Sequence, residues 1–276
     1  SYSPQDPFGL QEEAEKKGIT VVPDSGVAPG LSNFLVGRAV GELDDVEDVR
    51  IYVGGIPERY VPPLGYSITW SAADLIDEYT RGARVVRNGR IIEVDPLDYI
   101  ELVEVPELGE LEAFYTDGLR TLLKTIKARN MAELTLRYPG HVMSLRVLKG
   151  LGLFDEEPVD VEGVKVIPRK FMERLLEERL SLNVPDVVVL LVRVFGKKGS
   201  EYLRIEYDMI DRYDHERHVT AMSRTTAYFA SSIAQLLQEG RIRKEGVVPP
   251  EELGMDPEVF DQVMSKLARK GIQVRR

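Results

Sequence analysis

Apolar and polar residues follow different periods along the 276-residue chain, and the changes of period divide it into three parts. Residues 6–17 have a helical pattern that ends at Gly18, a common position for a helix C-cap. Residues 19–22 form a short apolar run, and a second apolar helical pattern follows to about residue 41. A helix, a strand and a helix in this order are typical of the last part of a doubly wound α/β sheet.

A period of two dominates the middle of the chain and predicts antiparallel strands. The segment 83–94 alternates on both sides of Asn88-Gly89, a pair that favours a type I′ hairpin turn. VVVLLVRV and YLRIEYDMI, joined by FGKKGS, predict a second antiparallel pair, and Ser71 is positioned to cap a short helix. Further strands are predicted over residues 50–55, 99–104, 111–115 and 132–137. We therefore expect an α+β region with a mixed, largely antiparallel sheet.

The chain becomes helical again from Ala221 onward. Residues 223–240 are mostly apolar and carry little charge, which is typical of a helix that is buried on more than one face. A loop and a terminal amphipathic helix follow. We expect these helices to pack against the sheet to which the N-terminal segment belongs, so the predicted fold class is α/β.

Charge and composition exclude several classes of function. A net charge of -10 argues against a nucleic-acid partner, because such binding depends on clustered basic residues. No apolar run approaches the length of a membrane span, and the first residues lack a signal-peptide pattern, so we expect a cytoplasmic location and no membrane partner. The absence of cysteine excludes disulfides, thiolate catalysis and cysteine metal ligands.

The stretch VVPDSGVAPGLSNFL, residues 21–35, has the pattern of a strand, a Gly/Pro turn and a helix. In α/β enzymes this order presents backbone N–H groups to phosphates. The glycines are spaced as Gly26-x-x-x-Gly30, which differs from the G-x-G-x-x-G fingerprint of dinucleotide-binding folds. Spacing alone therefore favours a structural corner over a cofactor-binding turn.

Only three histidines are available for acid–base chemistry near neutral pH. His215 and His218 lie in the charged stretch RYDHERHVT, where we expect a surface position. His141 follows TLRYPG at the predicted start of a helix, where a functional site with a lowered pKa and a capping or core role both fit the pattern. Arg137 ends the preceding strand, and it could hold a carboxylate through two parallel hydrogen bonds or form an internal salt bridge.

The roles of three further residues stay open at the level of sequence pattern. Trp70 lies at a strand-to-helix junction, where it could form the wall of a cofactor site or be a buried structural side chain. Asp117 and Arg120 flank a glycine turn in FYTDGLRT, and the pattern leaves their role open.

No P-loop, G-x-S-x-G elbow or H-E-x-x-H motif occurs, so nucleophilic and metal-dependent mechanisms are not expected and no metal site is predicted.

Eight stretches together carry a resemblance that none of them carries alone. In chain order they are PDSGVAPGLSN, YVGGIP, PPLGYSITWS, DLIDEYTRGARVVRNGR, LEAFYTDGLRT, TLRYPGH, TAMSRTTAY and GVVPPEELG. The chain resembles the saccharopine dehydrogenase family over nearly its entire length, and it is most similar to the lysine 6-dehydrogenase branch. The resemblance implies the end of a Rossmann-like dinucleotide-binding domain over residues 1–42, an α/β substrate-binding and dimerisation domain over 43–218, and C-terminal helices over 219–276 that pack back on the first domain.

The resemblance also implies roles for individual residues, and it favours function for the Gly/Pro turn. The cofactor-binding candidates are Ser1, Val27, Ala28, Pro29 and Trp70, and the substrate-binding candidates are Tyr2 and, for a carboxylate, Arg137. Asp117 and Arg120 are two further substrate-binding candidates, taken from the glycine turn and not from the resemblance. Saccharopine dehydrogenases tend to carry Asp in the turn where this sequence has Ala28, and lysine 6-dehydrogenases have His where this sequence has His141. Both features favour lysine or another small amino acid as substrate, with His141 or Tyr2 as the proton acceptor.

The implied reaction is oxidation of a C–N bond of an amino-acid substrate by a homodimeric enzyme, with NAD or NADP as hydride acceptor. The family's glycine-rich phosphate loop precedes the point where this sequence starts, so we expect the sequence to be part of a longer protein. One alternative is a saccharopine dehydrogenase that forms L-glutamate. Others are an enzyme for a different polyamine or amino acid and, if the chain is complete, a non-catalytic dimerisation or substrate-binding module.

Overall fold

The computed structural model describes residues 6–68 and 70–276. The predictions for Ser1 and Tyr2 therefore lie outside the described residues. The N-terminal part consists of a 3-10 turn and the elements α1, β1 and α2, which span Pro7–Leu10, Gln11–Lys16, Thr20–Val21 and Leu31–Val40. The helix predicted over residues 6–17 is thus a 3-10 turn continued by a short α-helix.

The remaining elements follow in chain order. They are β2 (Asp45–Pro57), α3 (Ala72–Thr80), β3 (Ala83–Arg87), β4 (Arg90–Val94), β5 (Glu101–Val105), β6 (Gly109–Thr116), α4 (Leu122–Thr125), β7 (Asn130–Arg137), α5 (His141–Gly150), β8 (Val159–Val161), β9 (Val164–Val166), α6 (Pro168–Leu180), β10 (Asp186–Lys198), β11 (Glu201–Arg212), α7 (Ala221–Gln238), β12 (Gly246–Val247), α8 (Pro250–Met255), α9 (Pro257–Ala268) and β13 (Val274–Arg275).

A nine-stranded mixed sheet forms the centre of the described structure. Its main path runs β13-β11-β10-β2-β7-β3-β4, and β6 pairs with both β7 and β5. Strands β2 and β7 are parallel, whereas the other pairs of this sheet are antiparallel. The predicted fold class, α/β with a mixed and largely antiparallel sheet, is confirmed.

Local turn and cap signals were reliable. In the hairpin β3–β4, Asn88 and Gly89 both have positive φ, 49° and 74°, as a type I′ turn requires. Strands β10 and β11 form the second predicted antiparallel pair. The Ser71 hydroxyl accepts a hydrogen bond from the Asp74 N–H at the start of α3, as predicted.

The hairpin β8–β9 and the helix α6 were not predicted from the sequence. The signal for α6 is present in the sequence, because Pro168 begins the helix and its buried residues recur every four positions. These residues are Met172, Leu176 and Leu180.

Helices cover the sheet in two groups. Helices α2, α7 and α9 share one apolar cluster with β2, β10 and β11. Helices α3, α5 and α6 share a second cluster with Phe114 of β6, and this group covers the face on which the candidate site lies. None of the helices within residues 6–68 and 70–276 has the length and apolarity that crossing a membrane requires.

The C-terminal part returns to the N-terminal segment at two places. Strand β1 lies outside the large sheet and pairs in parallel with β12. Helix α2 contacts α8 so closely that a Cβ on Gly37 would overlap the Glu251 carbonyl oxygen, and a Cβ on Gly254 would overlap the Phe34 carbonyl oxygen. Glycine at both positions is therefore what allows the two backbones to touch.

Candidate active site

Strand β7 carries a row of polar side chains on its face towards α3. Glu133, Thr135 and Arg137 alternate along the strand and so share one face, and none is more than 4% exposed. Thr116 of β6 lies opposite Glu133, and its Oγ1 is 3.0 Å from Thr135 Oγ1. We define these four residues together with Glu78 of α3 as the β7 cluster.

Arg137 is held by its protein neighbours. Its Nη2 donates to Glu78 Oε2 at 2.8 Å, its Nη1 donates to the Leu136 carbonyl at 3.0 Å, and its guanidinium lies 4.5 Å from the centre of the Tyr66 ring. Burial raises the pKa of Glu78, although the neighbouring Arg137 opposes this shift. The internal salt bridge considered from the sequence is therefore present. Arg137 Nε has no hydrogen-bond partner among the described residues.

His141 is the first residue of α5 and is 2% exposed. Its Nδ1 lies 2.9 Å from the Leu64 carbonyl oxygen, and its Nε2 lies 2.9 Å from the Tyr79 hydroxyl. Because a carbonyl can only accept, Nδ1 donates and the neutral ring accepts the Tyr79 hydrogen at Nε2. Burial lowers the pKa of His141 to about 3, and the positive charge of Arg137 acts in the same direction. Its role as proton acceptor stays a prediction, and it requires Tyr79 to release Nε2 first.

Another residue caps α5 in place of His141. The Glu112 carboxylate accepts hydrogen bonds from the Gly140 N–H at 2.7 Å and from the Val142 N–H at 3.0 Å. This anion at the helix N-terminus satisfies amides that have no partner within the helix. His141 is therefore a core histidine at a helix start rather than a cap.

Trp70 is 46% exposed, so the alternative of a buried structural tryptophan is wrong. Its Nε1 donates to the Tyr66 hydroxyl at 2.9 Å. The Tyr66 ring contacts Arg137 and also packs edge-on against His141, with ring centres 5.8 Å apart. The fold thus brings Trp70, Arg137 and His141 together around one tyrosine, while the cofactor contact of Trp70 stays a prediction.

The Gly/Pro turn uses its backbone groups internally. The Gly26 N–H donates to the Pro29 carbonyl across a cis Ala28–Pro29 peptide, and the Leu31 and Ser32 N–H groups donate to carbonyls of residues 26 and 27. The first amides of α2 are therefore not directed at a phosphate, so the turn does not fit a pyrophosphate cradle. Val27 is buried, whereas Ala28 and Pro29 are partly exposed and could contact another part of a cofactor. The predicted cofactor role of Val27, Ala28 and Pro29 remains a prediction.

The loop after β6 lies between the turn and the β7 cluster. Asp117 accepts two hydrogen bonds of 2.8 Å from the Arg84 guanidinium. Arg120 donates to Asp24, which precedes the turn, through Nε at 3.1 Å, and this ion pair is almost fully buried. Asp117 and Arg120 therefore fix the loop in place, and their contact with substrate stays a prediction.

A buried carboxylate joins the same loop to α8. Glu251 is fully buried and accepts hydrogen bonds from Thr121 Oγ1 at 2.9 Å and Thr125 Oγ1 at 2.6 Å. Burial raises the pKa of Glu251, whereas the two threonine hydroxyls lower it. The C-terminal return of the chain thus helps to position the loop that carries Asp117.

Sequence reasoning missed the buried acid of the β7 cluster. Burial and the negative charges of Asp117 and Glu78 raise the pKa of Glu133 to about 8. A Cβ on Gly118 would overlap the Glu133 carboxylate, so the glycine makes room for it. The signal in MAELTLR was a carboxylate in phase with Thr135 and Arg137 on a strand that is otherwise apolar.

The amino-acid sequence matches a known protein family over most of its length. The sequence profile of the saccharopine dehydrogenase C-terminal domain matches residues 26–272. This chain belongs to that family. The matched range includes the Gly/Pro turn from Gly26 onward, the β7 cluster and the C-terminal helices.

Curated relatives extend the comparison to whole enzymes. Carboxyaminopropylagmatine dehydrogenase of Synechocystis is 27% identical over 279 residues, which cover 96% of this chain and 67% of that protein. The NADP(+), L-glutamate-forming saccharopine dehydrogenase of Schizosaccharomyces pombe is 26% identical over 53% of this chain and 35% of that enzyme. The chain thus spans between about a third and two thirds of these two relatives.

Two solved structures share the fold. Apo saccharopine dehydrogenase (L-Glu forming) from Saccharomyces cerevisiae aligns with all of this chain and 78% of that chain, with a TM-score of 0.79 and 20% identity. The homospermidine synthase of Legionella pneumophila, solved in complex with NAD, aligns with 99% of this chain and 68% of that chain, with a TM-score of 0.61 and 16% identity. At these identities the likeness concerns the fold alone.

Proposed function

We propose that this protein is an NAD(P)-dependent amino-acid dehydrogenase that oxidises the C–N bond at the ε-nitrogen of lysine or of a lysine derivative. The observation that carries the proposal is the family match over residues 26–272. The dehydrogenase names of the two curated relatives support the reaction class. The proposal covers the activity of the whole protein, which we infer to be a homodimer, as the family resemblance implies. We also propose the cytoplasmic location that the sequence pattern led us to expect.

A nicotinamide cofactor, when bound, supplies the hydride acceptor. The residues of this chain must orient the amine carbon and manage a proton, because an ammonium group cannot donate hydride. In this proposal Arg137 binds the substrate carboxylate through its unused Nε–H, while Nη2 of the same guanidinium stays bonded to Glu78. Trp70 and the partly exposed Ala28 and Pro29 contact the cofactor.

A second candidate substrate has its own support. The Synechocystis relative covers 96% of this chain, which is more than the fungal saccharopine dehydrogenase covers. Carboxyaminopropylagmatine therefore stands beside lysine and saccharopine as a substrate to be tested. The choice between NAD and NADP is part of the same test.

The experiment is an assay of the protein produced from the complete gene. L-lysine, saccharopine and carboxyaminopropylagmatine are each offered with NAD⁺ and with NADP⁺, and the absorbance of the reduced nicotinamide is followed. Fastest turnover of lysine would support the proposal. Turnover of saccharopine alone would select a lysine derivative within the proposal, and turnover of carboxyaminopropylagmatine alone would keep the reaction class and replace the substrate. No turnover with any pair would favour the non-catalytic module.

A further inference from the structure

Two buried polar atoms of the β7 cluster lack hydrogen-bond partners among the described residues, Glu133 Oε2 and Arg137 Nε. When Glu133 is ionised the first atom is an acceptor, whereas the second atom is always a donor. The two residues lie four positions apart on one strand face, about 13 Å between their Cα atoms. Since buried polar groups without partners cost free energy, their occurrence together indicates a ligand with a cationic group near Glu133 and an anionic group near Arg137.

We propose that Glu133 binds the amine of the substrate and takes its proton, while Arg137 holds the substrate carboxylate. This inference rests on the proposed function and deepens it by assigning the proton acceptor. An extended amino acid with an amine several carbons from its carboxylate suits two side chains that point from one strand face at this separation. Lysine and amines derived from it have this shape.

Glu133 suits this task better than His141. Both ring nitrogens of His141 already have hydrogen-bond partners, and the ring resists protonation until far below neutral pH. Glu133 has a pKa near the working range of a general base, because of its burial and the neighbouring Asp117 and Glu78.

The charged groups around Glu133 come from several elements. The carboxylates are Glu78 on α3 and Asp117 after β6, and the cations paired with them are Arg137 on β7 and Arg84 on β3. Each of these carboxylates already has an arginine partner, so an ammonium group at Glu133 Oε2 would find a carboxylate without a cation of its own. Binding a cation there favours ionisation of Glu133.

The proposed reaction transfers one proton to Glu133 and one hydride to the cofactor. The substrate ammonium R–CH₂–NH₃⁺ gives one proton to the Glu133 carboxylate and becomes a neutral amine. A bound oxidised nicotinamide would accept the hydride from this carbon, and the substrate would then be the iminium R–CH=NH₂⁺. Water then adds, the C–N bond breaks, and the products are an aldehyde and ammonium. Glu133 returns its proton to solvent.

The first test compares the wild type with Glu133→Gln in the full-length enzyme. Gln has the size of the protonated acid but cannot titrate, so folding should be retained. We expect kcat to fall about 10²- to 10⁴-fold and the rise of kcat/KM with pH through about 8 to disappear. Glu101→Gln is the matched control, because that carboxylate pairs with Arg50 outside the β7 cluster and its loss should change neither quantity.

The second test needs no variant and measures proton release during substrate binding by calorimetry in buffers of different ionisation enthalpy. With the amine that it oxidises fastest, the wild-type protein should release close to one proton per bound molecule at pH 7, because Glu133 must ionise, and almost none at pH 9.5. No proton release at pH 7, or a Glu133→Gln enzyme that keeps the wild-type pH profile, would overturn this inference and leave the proposed function intact. A wild type that oxidises none of the offered amines would overturn both.

Discussion

The α2–α8 contact and the β7 cluster are both buried, but different forces hold them. At the α2–α8 contact two glycines let the backbones touch, and the surrounding side chains belong to the largest apolar cluster. In the β7 cluster a guanidinium and carboxylates lie beneath helices. The cost of burying the positive charge of Arg137 is offset by its ion pair with Glu78. The first region should be sensitive chiefly to added volume, whereas the second should be sensitive to any change of charge.

The largest effect is expected from Arg137→Met. This change leaves Glu78 buried without its cation, and breaking a buried pair on one side typically costs about 3–5 kcal/mol. Chemical denaturation at pH 7 measures the loss in free energy of unfolding. The double variant Arg137→Met with Glu78→Gln should recover a large part of it, and a double variant no more stable than the single one would show that packing, not charge, dominates the β7 cluster.

Gly37→Ala probes the other region by adding one methyl group. Its Cβ would overlap the Glu251 carbonyl oxygen, so α2 and α8 must separate, and we expect a cost of about 3 kcal/mol, the upper part of the usual range for overpacking. Gly150→Ala, at the end of α5 with no atom near its Cβ position, is the control and should be neutral or slightly stabilising. Equal melting temperatures for the two variants would contradict the close contact.

His141, which lies close to the β7 cluster, should make the stability of the protein depend on pH. Its folded pKa of about 3 lies below the unfolded value of 6.5, so between these values the unfolded state binds more protons and stability falls as pH decreases. The His141 contribution to this loss should be about 2 kcal/mol between pH 7 and pH 5. His141→Gln should show a correspondingly smaller loss over the same range, and an unchanged pH slope would mean that His141 is not buried in its neutral form.

The smallest effect is expected for Trp70→Phe. The substitution removes the hydrogen bond from the indole to the Tyr66 hydroxyl but keeps an aromatic ring at a half-exposed position, so the cost in stability should be about 1 kcal/mol or less. Tyr66→Phe is the matched variant that removes the same bond from the other side. If Trp70 contacts the cofactor, Trp70→Phe should weaken nicotinamide binding while the melting temperature barely changes.

Much of the local structure could be predicted from the sequence. The hairpin at Asn88-Gly89, the Ser71 cap, the β10–β11 pair and the helix that begins at His141 all depend on residues that are close along the chain. Candidate site residues such as Arg137 and Trp70 also proved to be neighbours through Tyr66. Their chemistry was not predictable, because the Glu78 partner of Arg137 is 59 residues away.

By itself the sequence determined periodicity, turn chemistry and the placement of polar residues in strands, because these follow from short-range sterics and from alternation along the backbone. Only the tertiary structure decided which segments meet. It paired β1 with β12 and placed α8 against Gly37 of α2. It also enclosed Glu133 among Asp117, Glu78 and Gly118. The protonation of a carboxylate depends on the water and charge that surround it, and those surroundings arise from contacts between residues that are distant along the chain.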